Sequence, residues 1–201
     1  LVCDCCQLAF AGMPDGAAVL AYRGRTKDEF RDMRVARFAG GAWETPRPLH
    51  DDGWKIAACP VNGPQLAANH DRLGAVWFTA AGDKPRVLAA SAGGALDFGD
   101  PVQVNVGRPL GRVDNLMLSD GRMLVTWVES GSTEKEGGIF LRTMSAAGRL
   151  GASVLVTPTA TARASGFPRI APLAGGAKPA FLLTCTKAGE TPEVLVFLVA
   201  L

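Results

Sequence analysis

The chemistry in this sequence concentrates first in its cysteines. Cys3, Cys5 and Cys6 stand together in CDCC, and Cys59 follows in AACPVNGP. Thiols at this density form structural disulfides, hold a soft metal as thiolates, or act as a redox pair. C-x-C-C is not the spacing zinc prefers, which leaves two to four residues between ligands. Soft thiolates suit Cu(I). A C-x-x-C at Cys3 and Cys6 is formally present, without the βαβ context of a thioredoxin-like motif. Disulfides rank first among these readings, copper or zinc second and redox chemistry third; no other cofactor is expected. Strand alternation would put Cys3 and Cys5 on one face and Cys6 on the other. Cys59 then bridges only one of them, and the other two bond to each other or hold the metal. Cys185, in FLLTCTK, sits in an apolar strand and reads as a buried leftover thiol.

A second set of chemical side chains is spread along the chain. GRPLGRVD supplies Arg108, Arg112 and Asp114; ARASGFPR supplies Arg163, Ser165 and Arg169; CPVNGP supplies Asn62. Converging guanidinium groups suit planar anions, because arginine offers a bidentate fork. The same arginines can instead pair with Asp4, Asp114 and backbone carbonyls and hold elements together, and both readings stay open. The single tyrosine, Tyr22, leads into YRGRTKDEFRD, a charged loop with carboxylates at Asp28, Glu29 and Asp32. His50, Asp51 and Asp52 adjoin Trp54 in LHDDGWK. That group can be a base or a metal site, and a turn between elements explains it more simply. His70 is assigned no role.

The elements that must position these groups read as strands. Twenty-four glycines and 13 prolines among 201 residues suit short strands joined by tight turns. A formal charge of +2 gives no general electrostatic case for nucleic acid. No apolar run approaches the roughly 18 residues of a membrane span; EVLVFLVAL has the length of a buried strand. The opening residues carry no initiator Met, charged segment or cleavage signal, so a mature or cut product is expected. Five cysteines fit a periplasmic or secreted location if most are paired.

Four segments repeat one order of features: a lead-in loop, a short strand, a Gly or Asp turn, and an apolar strand with an aromatic near its end. They begin at Cys6, Pro64, Asp114 and Pro168. Tyr22, Trp77 and Trp127 fall at equivalent places, 55 and 50 residues apart. A four-stranded unit recurring at this period reads as a β-propeller blade, since stacked blades cover faces that one sheet leaves bare. A β-sandwich is the alternative. The fold class is therefore all-β, one propeller domain or fragment with blades near 1–50, 51–104, 105–157 and 158–201. The recurring aromatics read as core between blades. Superposing the repeats puts CDCC, CPVNGP, GRPLGRVD and ARASGFPR at one station, the lead-in to each innermost strand. Cys59 is then expected beside Cys3, Cys5 and Cys6, and the arginines around one axial mouth.

FAGGAWETPRPL and SAGGALDFGDPVQV resemble the Asp-box, or BNR, repeats of the sialidase-like propellers. Ser91, Gly94 and Phe98 match one copy, and Gly41 and Trp43 another. The Asp of the motif is absent from both, and SAAGRLGASV keeps only Ser and Gly. GRPLGRVD, CPVNGP and ASGFPRI also resemble pieces of bacterial sialidase-like proteins. The resemblance implies a six-bladed ring. The present chain would be its C-terminal portion, closed by missing N-terminal blades or another chain, or else an unusual four-bladed ring. It implies an arginine cluster for a sugar carboxylate, for which Arg112, Arg163 and Arg169 are candidates, with Arg108 and Asn62 beside them. It also implies a Tyr nucleophile and an acid/base carboxylate. Tyr22, Asp32 and Asp114 are the weak candidates here, and Tyr22 sits in a second strand rather than an inner position. The expected function is binding of a small-molecule or glycan ligand, such as an acidic glycan, at the axial mouth. A sialidase-type exo-glycosidase and a Cys-based metal-binding propeller are the alternatives. Neither nucleic acid nor a membrane span is expected.

Overall fold

The computed structural model describes residues 1–70, 72–93, 96–133, 136–173 and 180–200. Four antiparallel sheets follow one another along the chain. The first holds β1 (Ala9–Gly12), β2 (Ala18–Arg23), β3 (Met33–Ala39) and β4 (Ala42–Trp43), with β5 (Arg47–His50) also paired to β3. The second holds β6 (Gln65–Asn69), β7 (Arg72–Thr79), β8 (Arg86–Ala92) and β9 (Val102–Gln103). The third holds β10 (Arg108–Met117), β11 (Met123–Ser130), β12 (Glu136–Met144) and β13 (Val154–Ala160). The fourth holds β14 (Arg169–Leu173), β15 (Ala180–Lys187) and β16 (Glu193–Ala200), three strands as the sequence suggests. Each sheet runs in chain order from its innermost strand, and β1, β6, β10 and β14 contact one another in succession. This is the blade arrangement of a β-propeller.

Three apolar clusters fill the three joints between blades. Residues of β7 divide by parity: Leu73, Ala75 and Trp77 pack toward the first blade, while Val76 and Phe78 pack toward the third. In β11, Met123, Val125 and Trp127 face the second blade, and Leu124 and Val128 face the fourth. Strands buried on both faces need apolar residues at consecutive positions, which is why AVWFT and MLVTWV show little alternation. The two central-strand indoles donate their N–H groups to carboxylates: Trp77 to Asp52 at 2.9 Å and Trp127 to Glu129 at 2.7 Å. A buried indole left without an acceptor would lose a hydrogen bond on folding.

Two faces lie open. On the fourth sheet Val194, Val196 and Leu198 point outward, 73%, 58% and 68% exposed, because no further blade among the described residues covers β16. On the first sheet Phe10 and Trp43 are exposed, with Trp43 packed on Phe38 at a ring separation of 5.2 Å. Tyr22 lies on that open face and is only half-buried, whereas Trp77 and Trp127 are fully buried. The expectation of an inter-blade aromatic core therefore holds for the tryptophans and fails for Tyr22. Of the Asp-box residues, Gly94 lies outside the described residues; Phe98 bridges Ala92, and the Gly99 N–H reaches the Ser91 carbonyl at 3.1 Å.

Candidate functional site

The four lead-in segments meet at one end of the blades, joined by a tie at each junction. Between the first and second, a disulfide links Cys5 to Cys59, with Cα atoms 6.1 Å apart across a separation of 54 residues. Closing a loop of that length stabilises by about 4 kcal/mol in the chain-entropy picture. The Gly63 N–H also donates to Gln7 Oε1 at 3.0 Å. A side chain at Gly63 would collide with the Gln7 backbone, so only glycine allows this approach.

Asn62 makes the next tie. Its Oδ1 accepts from the Arg112 N–H at 2.8 Å, and its Nδ2 donates to the Leu110 carbonyl at 3.2 Å. Gly111, between them at φ 79°, leaves no room for a Cβ against the Asn62 amide. The third tie uses two groups of β10. The Arg112 guanidinium donates to the Thr161 and Ala162 carbonyls at 2.7 and 2.9 Å. Asp114 accepts from the Ile170 N–H at 2.9 Å and approaches Arg169 Nη1 at 3.6 Å. Burial pushes the Asp114 carboxyl above its ordinary range, against the Ile170 hydrogen bond and the Arg169 charge. Burial and then the charge of Arg163 lower Arg112.

The predicted arginines thus divide. Arg112 is spent on carbonyls, and Arg169 pairs loosely with Asp114. Arg163, in the 3-10 turn Arg163–Ser165, and Arg108, at the start of β10, are exposed. Neither guanidinium has a hydrogen-bond partner among the described residues. Arg108 borders a cleft of about 330 Å³ with Leu110, Ser130, Ser132, Thr133 and Thr161. A neighbouring groove of about 530 Å³ between the third and fourth blades is lined by Thr157, Thr159, Thr186, Lys187 and Glu136 among others. Both lie at the mouth end of their strands, where Arg108 pairs with Ser130 and Lys187 with Glu193. The weak catalytic candidates separate. Tyr22 and Asp32 line one cleft of about 260 Å³ with Arg25 and Arg34, on the open side of the first blade. Asp114 belongs to the joint between the third and fourth. Burial, then the charges of Asp52 and Asp51, push Asp32 up, partly offset by the Trp54 N–H it accepts at 3.0 Å.

The thiols gather as expected but not on alternate faces. Residues 4–6 form a turn, so strand alternation does not apply. Cys3 Sγ lies 3.3 Å from Cys6 Sγ and 3.6 Å from Cys5 Sγ. The Cys3, Cys5 and Cys6 sulfurs fall within 4.8 Å of one another, with Cys5 committed to Cys59. Cys185 is a buried free thiol in β15.

Two functional-looking residues escaped the sequence. Arg23 is 1% exposed and donates to the Asn62, Phe78 and Arg31 carbonyls, with its guanidinium 4.7 Å above the Trp54 ring. Arg31 is also buried and donates to Cys3 Sγ at 3.0 Å. A signal existed: Arg23 occupies the position after Tyr22 that Phe78 and Val128 fill after their tryptophans, a core station.

No family model and no curated relative matches the chain in sequence. Solved structures do match in shape. The alpha-L-arabinanase of Penicillium chrysogenum superposes with a TM-score of 0.59 at 15% identity, over 90% of this chain and 60% of that one. An alpha-L-arabinofuranosidase of Fusarium graminearum gives 0.58 at 12%, over 95% and 60%. The NanB sialidase of Streptococcus pneumoniae gives 0.54 at 11%, over 89% and 27%. The fold is that of the propeller glycosidases. The chain spans about 60% of the length of the arabinanase it matches. That arabinanase was solved complexed with arabinobiose.

Proposed function

We propose that this propeller binds an anionic carbohydrate at the mouth end of its third and fourth blades. The observation that carries the reading is the open Arg108 guanidinium in a cleft walled by the hydroxyls of Ser130, Ser132, Thr133 and Thr161, with the exposed Arg163 two residues along the chain from Thr161. Arg112, whose guanidinium donates to the carbonyl of Thr161 in the cleft wall, adds positive charge nearby. Serine and threonine hydroxyls both donate and accept, as sugar hydroxyls require, and a guanidinium fork matches a carboxylate. A volume near 330 Å³ is at the lower end of small-molecule sites. The structural likeness to an arabinanase, an arabinofuranosidase and a sialidase supports a saccharide as the ligand class. Binding is favoured over hydrolysis at this mouth because the catalytic candidates do not meet there: Tyr22 and Asp32 line the cleft on the open side of the first blade, while Asp114 is held by the Ile170 N–H in the joint between the third and fourth. The Cys5–Cys59 bond supports a periplasmic or secreted setting.

The test is titration with a uronic- or sialic-acid-terminated oligosaccharide and its neutral counterpart, read by calorimetry or NMR shifts. The acidic sugar binds more tightly, and Arg163→Ala or Arg108→Ala weakens it about tenfold each, the worth of one charge-assisted hydrogen bond. Equal affinity for the neutral sugar, or variants indistinguishable from wild type, refutes the reading. Release of a fluorogenic aglycone, abolished by Tyr22→Phe, would shift it to hydrolysis at the first blade.

A further inference from the structure

The sulfur cluster beside the first blade takes no part in the proposed sugar site. Its geometry is specific. Cys3 is 2% exposed, and its backbone N–H is fixed to the Arg23 carbonyl at 2.9 Å. Its sulfur touches the Cys5 sulfur of the resident disulfide at 3.6 Å. The Arg31 guanidinium, held by the Ile56 carbonyl and Glu29, donates to Cys3 Sγ at 3.0 Å. Cys59, the far end of the disulfide, is exposed.

We propose that Cys3, Cys5 and Cys59 form an internal thiol–disulfide exchange site that moves a buried thiol to the surface. The Cys3 thiolate donates an electron pair to Cys5 Sγ and forms a Cys3–Cys5 bond. The Cys5–Cys59 bond breaks, and its pair leaves on Cys59 Sγ, which takes a proton from water. One disulfide and one thiol are consumed and one of each is formed, so no oxidant or reductant is needed. The direction of attack follows from solvation. A thiolate leaving at Cys59 enters water, whereas one leaving at Cys5 stays in the half-buried cluster.

The proton distribution agrees with that assignment. Burial pushes the Cys3 thiol up, but hydrogen bonds with Cys6, the Cys5 backbone and Arg31, together with the Arg31 charge, outweigh it and hold Cys3 below its ordinary value. Burial, then the hydrogen bond with Cys3, pushes Cys6 up to about 11, so Cys6 keeps the proton. The cluster therefore contains one nucleophile, one proton-holding neighbour and one disulfide in contact. Exchange also removes the covalent tie between the first two blades, leaving the apolar cluster of that joint, the Gln7–Gly63 hydrogen bond and the Arg23 bonds to the Asn62 and Phe78 carbonyls.

The test uses the intact, unreduced protein, labelled with N-ethylmaleimide over time and digested with trypsin. Cleavage after Arg23 and Lys55 separates the isomers: Cys5–Cys59 links two peptides, whereas Cys3–Cys5 is a loop within one. Wild type is expected to accumulate Cys59 label together with the Cys3–Cys5 loop. Cys3→Ser keeps the linked pair and lowers Cys59 labelling by about tenfold or more, because the attacking thiol is gone. Cys185→Ser, at the buried thiol of β15 outside the cluster, retains exchange, which separates loss of attack from the general effect of removing a buried thiol. Equal Cys59 labelling in wild type and Cys3→Ser overturns the proposal. So does a fixed Cys3–Cys6 bond with Cys59 unlabelled, or thiols that react only after a chelator strips a bound metal.

Discussion

Removing the Asn62 side chain tests how strongly the lead-in segments hold one another. In Asn62→Ala the Arg112 N–H and the Leu110 carbonyl both lose their partner, bonds of 2.8 and 3.2 Å. Each such hydrogen bond is worth about 1 kcal/mol net. Arg112 also sits at φ 53°, a left-handed conformation uncommon for a non-glycine residue and held here by that bond. The sum is about 2 kcal/mol, because water reaches this half-buried place and recovers part of any larger penalty. For a chain of this length that lowers Tm by about 4–8 °C. Asn62→Asp should cost at least as much. It keeps an acceptor for the Arg112 N–H but turns an oxygen toward the Leu110 and Pro60 carbonyls, where Nδ2 now donates. The assay is urea unfolding by tryptophan fluorescence at unchanged m-value, with thermal melts in parallel. A loss within about 0.5 kcal/mol, the range of an ordinary surface change, would refute the claim that Asn62 joins the second and third blades.

Other outcomes follow from the same contacts. Leu183→Ala, at a fully buried place in the joint between the third and fourth blades, should destabilise by about 2–5 kcal/mol in urea melts. Cys59→Ser should cost about 4 kcal/mol by releasing the loop closed by the disulfide, and full reduction of wild type should lower stability similarly. Asp114 gives a pH signature. Its folded carboxyl is raised, so its contribution is fully present below the ordinary carboxylate value and is lost as pH rises through the raised value. Asp114→Asn should therefore close part of its stability gap to wild type as pH rises through that window; a gap constant with pH contradicts the buried, raised carboxyl.

The architecture was legible because one blade leaves its mark on both faces of its central strand. Trp77 and Trp127 recur at the blade period, and superposing the repeats on them puts Cys59 beside the group Cys3, Cys5 and Cys6, though not which of the three it joins; the structure joins it to Cys5. The details of the mouth were less legible. Whether an arginine binds a ligand or a carbonyl depends on where a linker passes, and Arg112 reaches Thr161 and Ala162 through a segment with no pattern of its own. Arg23 and Arg31 read as a solvated charged loop, yet they are buried because carbonyls of neighbouring blades converge on them. Tyr22 shares the period of the tryptophans but not their burial, since periodicity does not say which blade has a neighbour on each side.

A variant carrying Cys3→Ser, Cys6→Ser and Cys185→Ser retains two thiols, Cys5 and Cys59, and asks directly whether distant lead-in segments meet. It should be reduced, allowed to refold, reoxidised with a glutathione buffer at low protein concentration, and mapped by non-reducing peptide mass spectrometry. Quantitative intramolecular pairing in the folded monomer, lost when oxidation is carried out in denaturant, is the result predicted by blades gathered at one mouth. Two thiols that stay free in the folded monomer, or pair only between molecules, would contradict it.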